Sequence, residues 1–157
     1  MPNSARRARL ILLLAVLLSV ILATSGRAQN PNSGFPHAAG GGWATDGLGF
    51  VHFAFSAMNG PSGPPSAKGH GRFSYPDGSS DQGDVICFAV FPNNVAQFTI
   101  DVSKGAHNTL LVRVEDSDVM DTVTYQPNQP NCALPQAPAN APGLVTHGNV
   151  VVSDGNN

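Results

Sequence analysis

The chain has 157 residues, of which 41% are hydrophobic and 11% charged, and its formal net charge at neutral pH is −2. This length suits one ordinary domain with a buried core, and the charge supplies no basic surface for a nucleic-acid backbone. We therefore expect no nucleic-acid partner, and no membrane-surface helix, because such a helix needs a basic face.

The first 28 residues have the layout of a secretory signal peptide. Three arginines within the first nine residues precede an apolar run at 10–23, and Gly26 and Ala28 place small residues at the −3 and −1 positions of a cleavage site. A spanning helix needs about 20 residues, so the shorter run favours a cleaved signal over an uncleaved anchor. We expect a secreted mature chain that begins at Gln29 and is not embedded in a membrane. Its four basic and ten acidic residues would give a net charge of −6.

The two cysteines, Cys87 and Cys132, both lie in the expected mature chain. An isolated pair in an oxidising compartment favours a disulfide over a nucleophile or half of a metal site, and no CxxC spacing occurs. A bond across this separation would stabilise the fold by roughly 4 kcal/mol on the chain-entropy model. We predict a Cys87–Cys132 disulfide that ties a proline-rich segment to a central strand.

The start of the mature chain lacks periodicity. Residues 29–42 are rich in Asn, Pro and Gly and predict a flexible leader. The domain is then expected at 43–154, with a short tail at 155–157. Its first predicted strand is 49–57, which is β-branched and aromatic.

Turn residues separate the next predicted strands. The segment 59–67 contains three prolines and two glycines, which argue against regular structure. The segment 69–75 alternates as a strand does, and Pro76-Asp77-Gly78 predicts a turn.

The clearest strands lie in the middle of the chain. Residues 85–91 are apolar on both faces and predict a central strand that is covered on both sides. A tight reversal at 91–95 leads into 96–102, where apolar and polar residues alternate as in a half-buried strand. The residues expected to face inward are Ala96, Phe98, Ile100 and Val102, together with one face of 85–91 and with Leu110, Val112 and Val114.

Three more strands complete the pattern, at 109–115, 120–126 and 148–154. A long irregular segment at 127–143 carries five prolines and Cys132. No stretch of the mature chain has helical periodicity over ten residues. Short strands at spacings of roughly 10–14 residues predict an all-β domain of about six to eight strands, either an antiparallel β-sandwich or a small β-barrel.

Four local strings in a fixed order resemble a family of small secreted bacterial β-rich modules. They are GGGW at 40–43, AKGHGRFSYPDG at 67–78, GDVICFAVF at 83–91 and HGNVVVSD at 147–154. The resemblance covers about residues 40–154. It implies a β-rich fold and an exported location, and it implies no reaction and no catalytic residue.

The histidines are candidate metal ligands, and they are His37, His52, His70, His107 and His147. No two are spaced at i, i+2 or i, i+4, the spacings that place two ligands on one face of a strand or helix. His52 and His70 are the pair placed to meet across neighbouring strands. We expect no metal site and no cofactor, with the histidines on solvated or ordinary packed faces.

One acidic cluster, EDSDVMD, occupies 115–121. Calcium prefers several oxygen ligands on a flexible loop, but a turn whose carboxylates accept backbone hydrogen bonds explains the same residues, including Asp116 and Asp121. Glu115 and an aspartate would make a glycosidase-like pair, although any chain offers such pairs. No GxSxG string occurs, so we predict no catalytic residue.

The aromatic residues allow two interpretations. Trp43, Phe50, Tyr75 and Tyr125 would form a stacking surface for sugars if they were exposed. Because large rings are usually buried in a chain with few aromatic residues, we expect them in the core.

These observations predict a secreted, non-enzymatic binding or interaction module that recognises a protein or a glycan through segments 58–67 and 126–147. The alternative is a secreted hydrolase that uses carboxylates near Glu115. An exposed aromatic strip would favour binding, whereas a deep pocket with converging carboxylates of perturbed pKa would favour catalysis.

Overall fold

The computed structural model describes residues 34–45, 49–60, 63–129, 131–132 and 143–155. The predicted signal peptide and its cleavage site lie outside these residues. The described residues contain eight strands and no helix. In chain order the strands are β1 His37–Thr45, β2 Phe50–Gly60, β3 Gly63–Ser74, β4 Ser80–Phe91, β5 Val95–Lys104, β6 Thr109–Glu115, β7 Thr122–Pro127 and β8 Gly143–Ser153.

The strands form a closed antiparallel barrel. Each strand pairs with the next along the chain, and β8 returns to pair with β1. The prediction of a small all-β fold is confirmed, and of the two architectures expected from the sequence the barrel is the one observed. Closure gives both terminal strands a partner on each side.

Aromatic rings fill much of the barrel interior. The phenylalanines buried there are Phe53, Phe55, Phe73, Phe88 and Phe98. The ring centroids of Phe55 and Phe98 are 4.8 Å apart, and those of Phe53 and Phe73 are 6.4 Å apart. These separations lie in the range of favourable ring contacts, so the interior is a packed core.

The predicted inward face of β5 is confirmed, because Phe98 and its neighbours at two-residue spacing lie in the core. The fully buried members of this set on β5 and β6 are Ala96, Phe98, Ile100, Leu110, Val112 and Val114, and Val102 is partly buried. The opposite face of β5 differs from the prediction, because Gln97 and Thr99 are also buried. The first part of the strand, through Ile100, is therefore covered on both faces, whereas Asp101 is exposed as predicted.

A bulge in β4 changes which of its residues face the core. The register shifts between Val85 and Cys87, and Val85 and Phe88 are buried while Ile86 is exposed. A bulge adds one residue on one strand and so reverses the alternation beyond it. Cys87 consequently shares the outer face of the barrel with Thr99, its partner on β5.

The predicted disulfide is confirmed. Cys87 and Cys132 are bonded, and their Cα atoms are 5.9 Å apart, within the usual range for a disulfide. Cys132 is fully buried. The bond places Cys132 beside the outer face of β4, where Cys87 pairs with Thr99 of β5.

The prediction of a flexible leader up to residue 42 is wrong from residue 37 onward. β1 begins at His37, and its glycine-rich first half pairs with β2 on one side and β8 on the other. Added Cβ atoms at Gly40 and Gly42 would collide with the Phe55 ring and with the His147 carbonyl oxygen. Glycine allows these close approaches, and the same glycines hide the strand pattern in the sequence.

The prediction that 59–67 lacks regular structure is also wrong for most of its length. β2 continues to Gly60 and β3 begins at Gly63, so Pro64 and Pro65 belong to a strand. The ladder between β3 and β4 covers only His70–Ser74 of β3. Because the early part of β3 makes no ladder with β4, its prolines need no backbone donor on that side.

Candidate functional site

An exposed group of side chains lies on the outer wall of the barrel where β2, β1 and β8 run side by side. Trp43 of β1 is directly opposite His52 of β2 and His147 of β8. The rings of Trp43 and His52 are tilted by 35°, with centroids 4.7 Å apart. The indole is therefore flanked by an imidazole-bearing residue on each side. We name the following five residues the Trp43 patch: Trp43, Phe50, His52, Leu144 and His147.

The apolar members of the Trp43 patch are open to solvent. Trp43 is 47% exposed, Phe50 56% and Leu144 44%. Phe50 and Leu144 both pair with Thr45, in the row beside Trp43. The expectation that Trp43 and Phe50 belong to the core is wrong, because their neighbours Ala44 and Val51 take the inward positions.

The surface between these residues is concave. Trp43, Phe50 and His147 line an open cavity of about 320 Å³. This volume lies near the lower end of the about 300–1,000 Å³ that is typical of small-ligand sites. The patch thus combines exposed rings with room for a ligand group against them.

The strands that carry the Trp43 patch contain no Lys, Arg, Asp or Glu. Their ionisable side chains are histidines, of which His52 and His147 belong to the patch. The nearest strand with a fixed positive charge in the register is β3, where Arg72 pairs with Ala54 of β2. The described residues of the patch therefore carry no fixed charge, on a protein with an excess of acidic residues.

A second group of polar side chains lies at the β3–β4 and β5–β6 turns. Asp81 is fully buried and accepts hydrogen bonds from the Tyr75 hydroxyl at 2.8 Å and from Nδ1 of His107 at 2.6 Å. Its other oxygen accepts the backbone amides of Ala106 at 2.8 Å and His107 at 3.3 Å. The carboxylate thus holds the β5–β6 turn in place, which is a structural role.

The environment of Asp81 shifts two pKa values in opposite directions. Burial raises the pKa of Asp81, but hydrogen bonds from His107, Tyr75 and the two amides outweigh it, and the net pKa is below its ordinary value. Burial raises the pKa of Tyr75 far above its ordinary range, and the hydrogen bond to Asp81 and its charge act in the same direction. Tyr75 also packs against Tyr125, with ring centroids 5.2 Å apart, so both tyrosines flank the core as expected.

The structure separates the histidines that the sequence left as a candidate pair. His52 pairs with Ser74 across β2 and β3, whereas His70 pairs with Ser56, so the two do not meet. His70 instead contacts the exposed carboxylate of Asp84 at 3.1 Å. Within the described ranges, no three His, Cys, Asp or Glu side chains are grouped as a metal site would require.

The acidic turn between β6 and β7 contributes to the fold. Asp121 accepts the backbone amide of Val150 at 2.8 Å, and Asp116 accepts that of Val152 at 3.0 Å. The ladder between β7 and β8 contains only two residue pairs, so these carboxylates take the place of a neighbouring strand for the later part of β8. The interpretation of this cluster as a turn with backbone-bonded carboxylates is confirmed, with β8 as the unexpected donor.

A second groove lies at the other end of β1 and β2, with a volume of about 470 Å³. Its walls are mainly apolar, and Phe88 lies at its base. Among the described residues that line it, Asp154 is the only acidic one. The groove therefore does not bring together the pair of carboxylates that would favour catalysis.

Neither group of side chains could be predicted from the sequence, and the reason is the same for both. Asp81 and His107 come together only because of the register of β4, β5 and the turn that follows. Trp43 was placed at a domain boundary because β1 was not recognised. One available signal was the absence of fixed charge over 37–45, 50–60 and 143–153, which is unusual for strands with an exposed face.

No family model matches the chain, and neither does any curated protein or solved structure. Within the part of the chain that the structure describes, no helix is long and apolar enough to cross a membrane.

Proposed function

We propose that this chain is a secreted, non-enzymatic binding module that engages an extracellular ligand through the Trp43 patch. The observation that carries the proposal is the exposure of Trp43 and Phe50 beside an open cavity on the barrel wall. Exposed apolar groups cost free energy in water, and a contiguous exposed apolar patch is typical of interaction sites. The proposal includes membership of this chain in the family of small secreted bacterial β-rich modules that its sequence resembles.

Two features support export of the chain. The first 28 residues have the three-part layout of a cleaved signal peptide. The disulfide between Cys87 and Cys132 is compatible with an extracellular location, because such bonds persist in oxidising compartments. Mass spectrometry of exported protein is expected to find Gln29 at the N-terminus, and a retained apolar run at 10–23 would contradict export by this route.

The proposed contact surface differs from the two segments expected from the sequence. Segment 58–67 lies largely within β2 and β3. Segment 126–147 contributes Leu144 and His147 to the Trp43 patch through β8. The ligand surface is thus built from strands, which hold its side chains in fixed positions.

The test compares the wild-type protein with two variants on glycan and protein arrays. Trp43→Ala removes the central ring of the Trp43 patch, whereas Val119→Ser alters a residue that is 92% exposed in the β6–β7 turn. We expect ligands that bind the wild type and the Val119→Ser variant, and that lose at least tenfold in affinity for Trp43→Ala. Ligands that Trp43→Ala retains at full affinity, or the absence of any bound ligand, would contradict the proposal.

A further inference from the structure

We propose that the Trp43 patch binds a neutral sugar ring of a glycan, which lies over Gly41 and stacks against the indole of Trp43. This inference rests on the proposed binding function and adds the class of ligand and its position. It draws on three observations, namely the space at Gly41, the absence of fixed charge and the polar groups beside the indole.

Gly41 is the glycine of β1 that the fold does not explain. Gly40 and Gly42 have no room for a side chain, as described above. A Cβ at Gly41 would make only ordinary contacts, the nearest being the Phe53 carbonyl oxygen at 3.6 Å. Because glycine in a strand is less stable than alanine by roughly 0.5–1 kcal/mol, this position weakens β1 without a packing reason.

The absence of a side chain at Gly41 leaves open space next to Trp43. Gly41 is exposed and lies two residues before Trp43, so both face outward from the same strand. Its cross-strand neighbours are Ala54 on β2 and Asn149 on β8. Gly41 and Ala54 have no side-chain atoms beyond Cβ, so the surface next to the indole is low. A ring can approach the backbone closely there.

The charge of the wall selects the class of ligand. Carboxylates strengthen the attraction of an aromatic site for a cation, and Lys or Arg bind an anion. The strands β1, β2 and β8 carry none of these residues, and the nearest fixed charge in the described register is Arg72 of β3, which pairs with Ala54. This composition favours a neutral ligand, and one with an apolar face and polar edges matches a ring flanked by polar side chains.

Polar side chains lie around the surface of Gly41 and Ala54, at positions that sugar hydroxyls would reach. The imidazoles of His52 and His147 flank the indole, and both residues are exposed. Asn149 is exposed beside Gly41 and offers an amide with two donors and an acceptor. A pyranose ring presents C–H groups on its face and hydroxyls at its edge, so it complements both the indole and these side chains.

The size of the Trp43 patch favours a sugar over a protein partner. A specific protein interface uses about 20–30 residues on each side. On β1, β2 and β8 the exposed large hydrophobic residues are Trp43, Phe50, Leu144 and Val151, which is too few for an interface of that size. The cavity of about 320 Å³ is lined by Trp43, Phe50 and His147 rather than by Gly41, so it would hold the next unit of a chain ligand whose stacked ring lies over Gly41.

The experiment uses the single tryptophan of the chain as the reporter, since Trp43 is the only one present. The mature protein is titrated with neutral hexasaccharides of glucose, mannose and N-acetylglucosamine, and with anionic galacturonic and cationic glucosamine oligomers. We expect a saturable change in Trp43 fluorescence with at least one neutral oligomer and none with the charged ones. Gly41→Val is expected to weaken that binding at least tenfold without lowering the unfolding midpoint. Ala39→Val, which adds the same bulk further along the same face of β1, is the matched control and should bind as the wild type does.

Several results would overturn the inference. Binding by Gly41→Val at wild-type affinity would show that the ring does not lie over Gly41, and Gly41→Ala repeats the test with a single added methyl group. A response to charged oligomers alone, or to none of the oligomers, would show that the ligand is not a neutral glycan. If the arrays still yield a ligand that depends on Trp43, the binding function stands while its ligand class is wrong. Neutral-glycan binding that survives Trp43→Ala, measured by calorimetry, would overturn both.

Discussion

Nδ1 of His107 donates a hydrogen bond of 2.6 Å to the carboxylate of Asp81, although the two residues are 26 positions apart. The same carboxylate accepts the Tyr75 hydroxyl and two backbone amides of the β5–β6 turn. A buried carboxylate with this number of donors fixes the ends of β3, β4 and β5 relative to one another.

Asp81→Asn should destabilise the barrel. An amide keeps one acceptor oxygen and adds a donor group, so the donors now held by the second oxygen lose their acceptor. We expect a loss of about 2–4 kcal/mol in the free energy of unfolding, measured in urea at neutral pH. Asp84→Asn is the control, because this exposed carboxylate contacts only His70 in the described structure and should change stability little. Equal losses in both variants would contradict the role of Asp81.

The Asp81→Asn variant also tests how the stability of the protein falls at acid pH. Because the folded pKa of Asp81 is below its ordinary value of about 3.9, its contribution is complete above that value and is lost as the pH falls through the folded pKa. The wild type should therefore lose stability more steeply than Asp81→Asn below about pH 4. Asp77, whose pKa is lowered by hydrogen bonds from Ser79, is present in both proteins and cancels in the comparison.

Tyr75 should remain protonated in strongly alkaline solution. Burial and the neighbouring Asp81 raise its pKa, so ionisation is coupled to unfolding. In a Tyr125→Phe protein, which contains no other tyrosine, phenolate absorbance should be absent at about pH 11 while the protein is folded and should appear in denaturant. A normal titration near pH 10 in the folded protein would show that Tyr75 is open to water.

Removal of the Cys87–Cys132 bond should cost roughly 4 kcal/mol, as the chain-entropy model gives for a loop of this length. The variant with both cysteines replaced by alanine should show this loss in urea, and reductant should lower the stability of the wild type but not of the variant. We also expect faster amide exchange at Thr99, the ladder partner of Cys87. Unchanged exchange at Thr99 would show that the disulfide does not restrain this part of β4 and β5.

Two phenylalanines provide a matched test of the barrel register. Phe98 is fully buried and Phe50 is 56% exposed. Phe98→Ala should destabilise the protein by about 3–5 kcal/mol, as the loss of a large core side chain does. Phe50→Ala should leave the unfolding midpoint almost unchanged and weaken ligand binding. A reversed order of the two midpoints would mean that the outer and inner faces are assigned wrongly.

The sequence predicted the fold class and the centre of the barrel because local pattern and tertiary environment agree there. Phe98 and its neighbours alternate, and alternation is what one buried face of a strand requires. The disulfide followed from the number of cysteines and the expected compartment. These inferences need no knowledge of which strands are neighbours.

The remaining features depend on contacts that local pattern does not contain. β1 was missed because Gly40 and Gly42 make room for the Phe55 ring and the β8 backbone, and glycine carries no strand signal. The bulge near Cys87 reversed the face of β4. The candidate site could not be predicted without β1, because Trp43, His52 and His147 lie together only through the closure of β8 on β1.

The most direct test of the Trp43 patch as the binding surface is a chemical-shift map of ¹⁵N-labelled mature protein during titration with the neutral hexasaccharides. The chain has one indole N–H, so Trp43 gives a single and unambiguous signal. We expect the largest shifts at that indole and at the amides of Gly41, His52 and His147. Shifts confined to the groove around Phe88, or no shift at saturating oligosaccharide, would contradict the account.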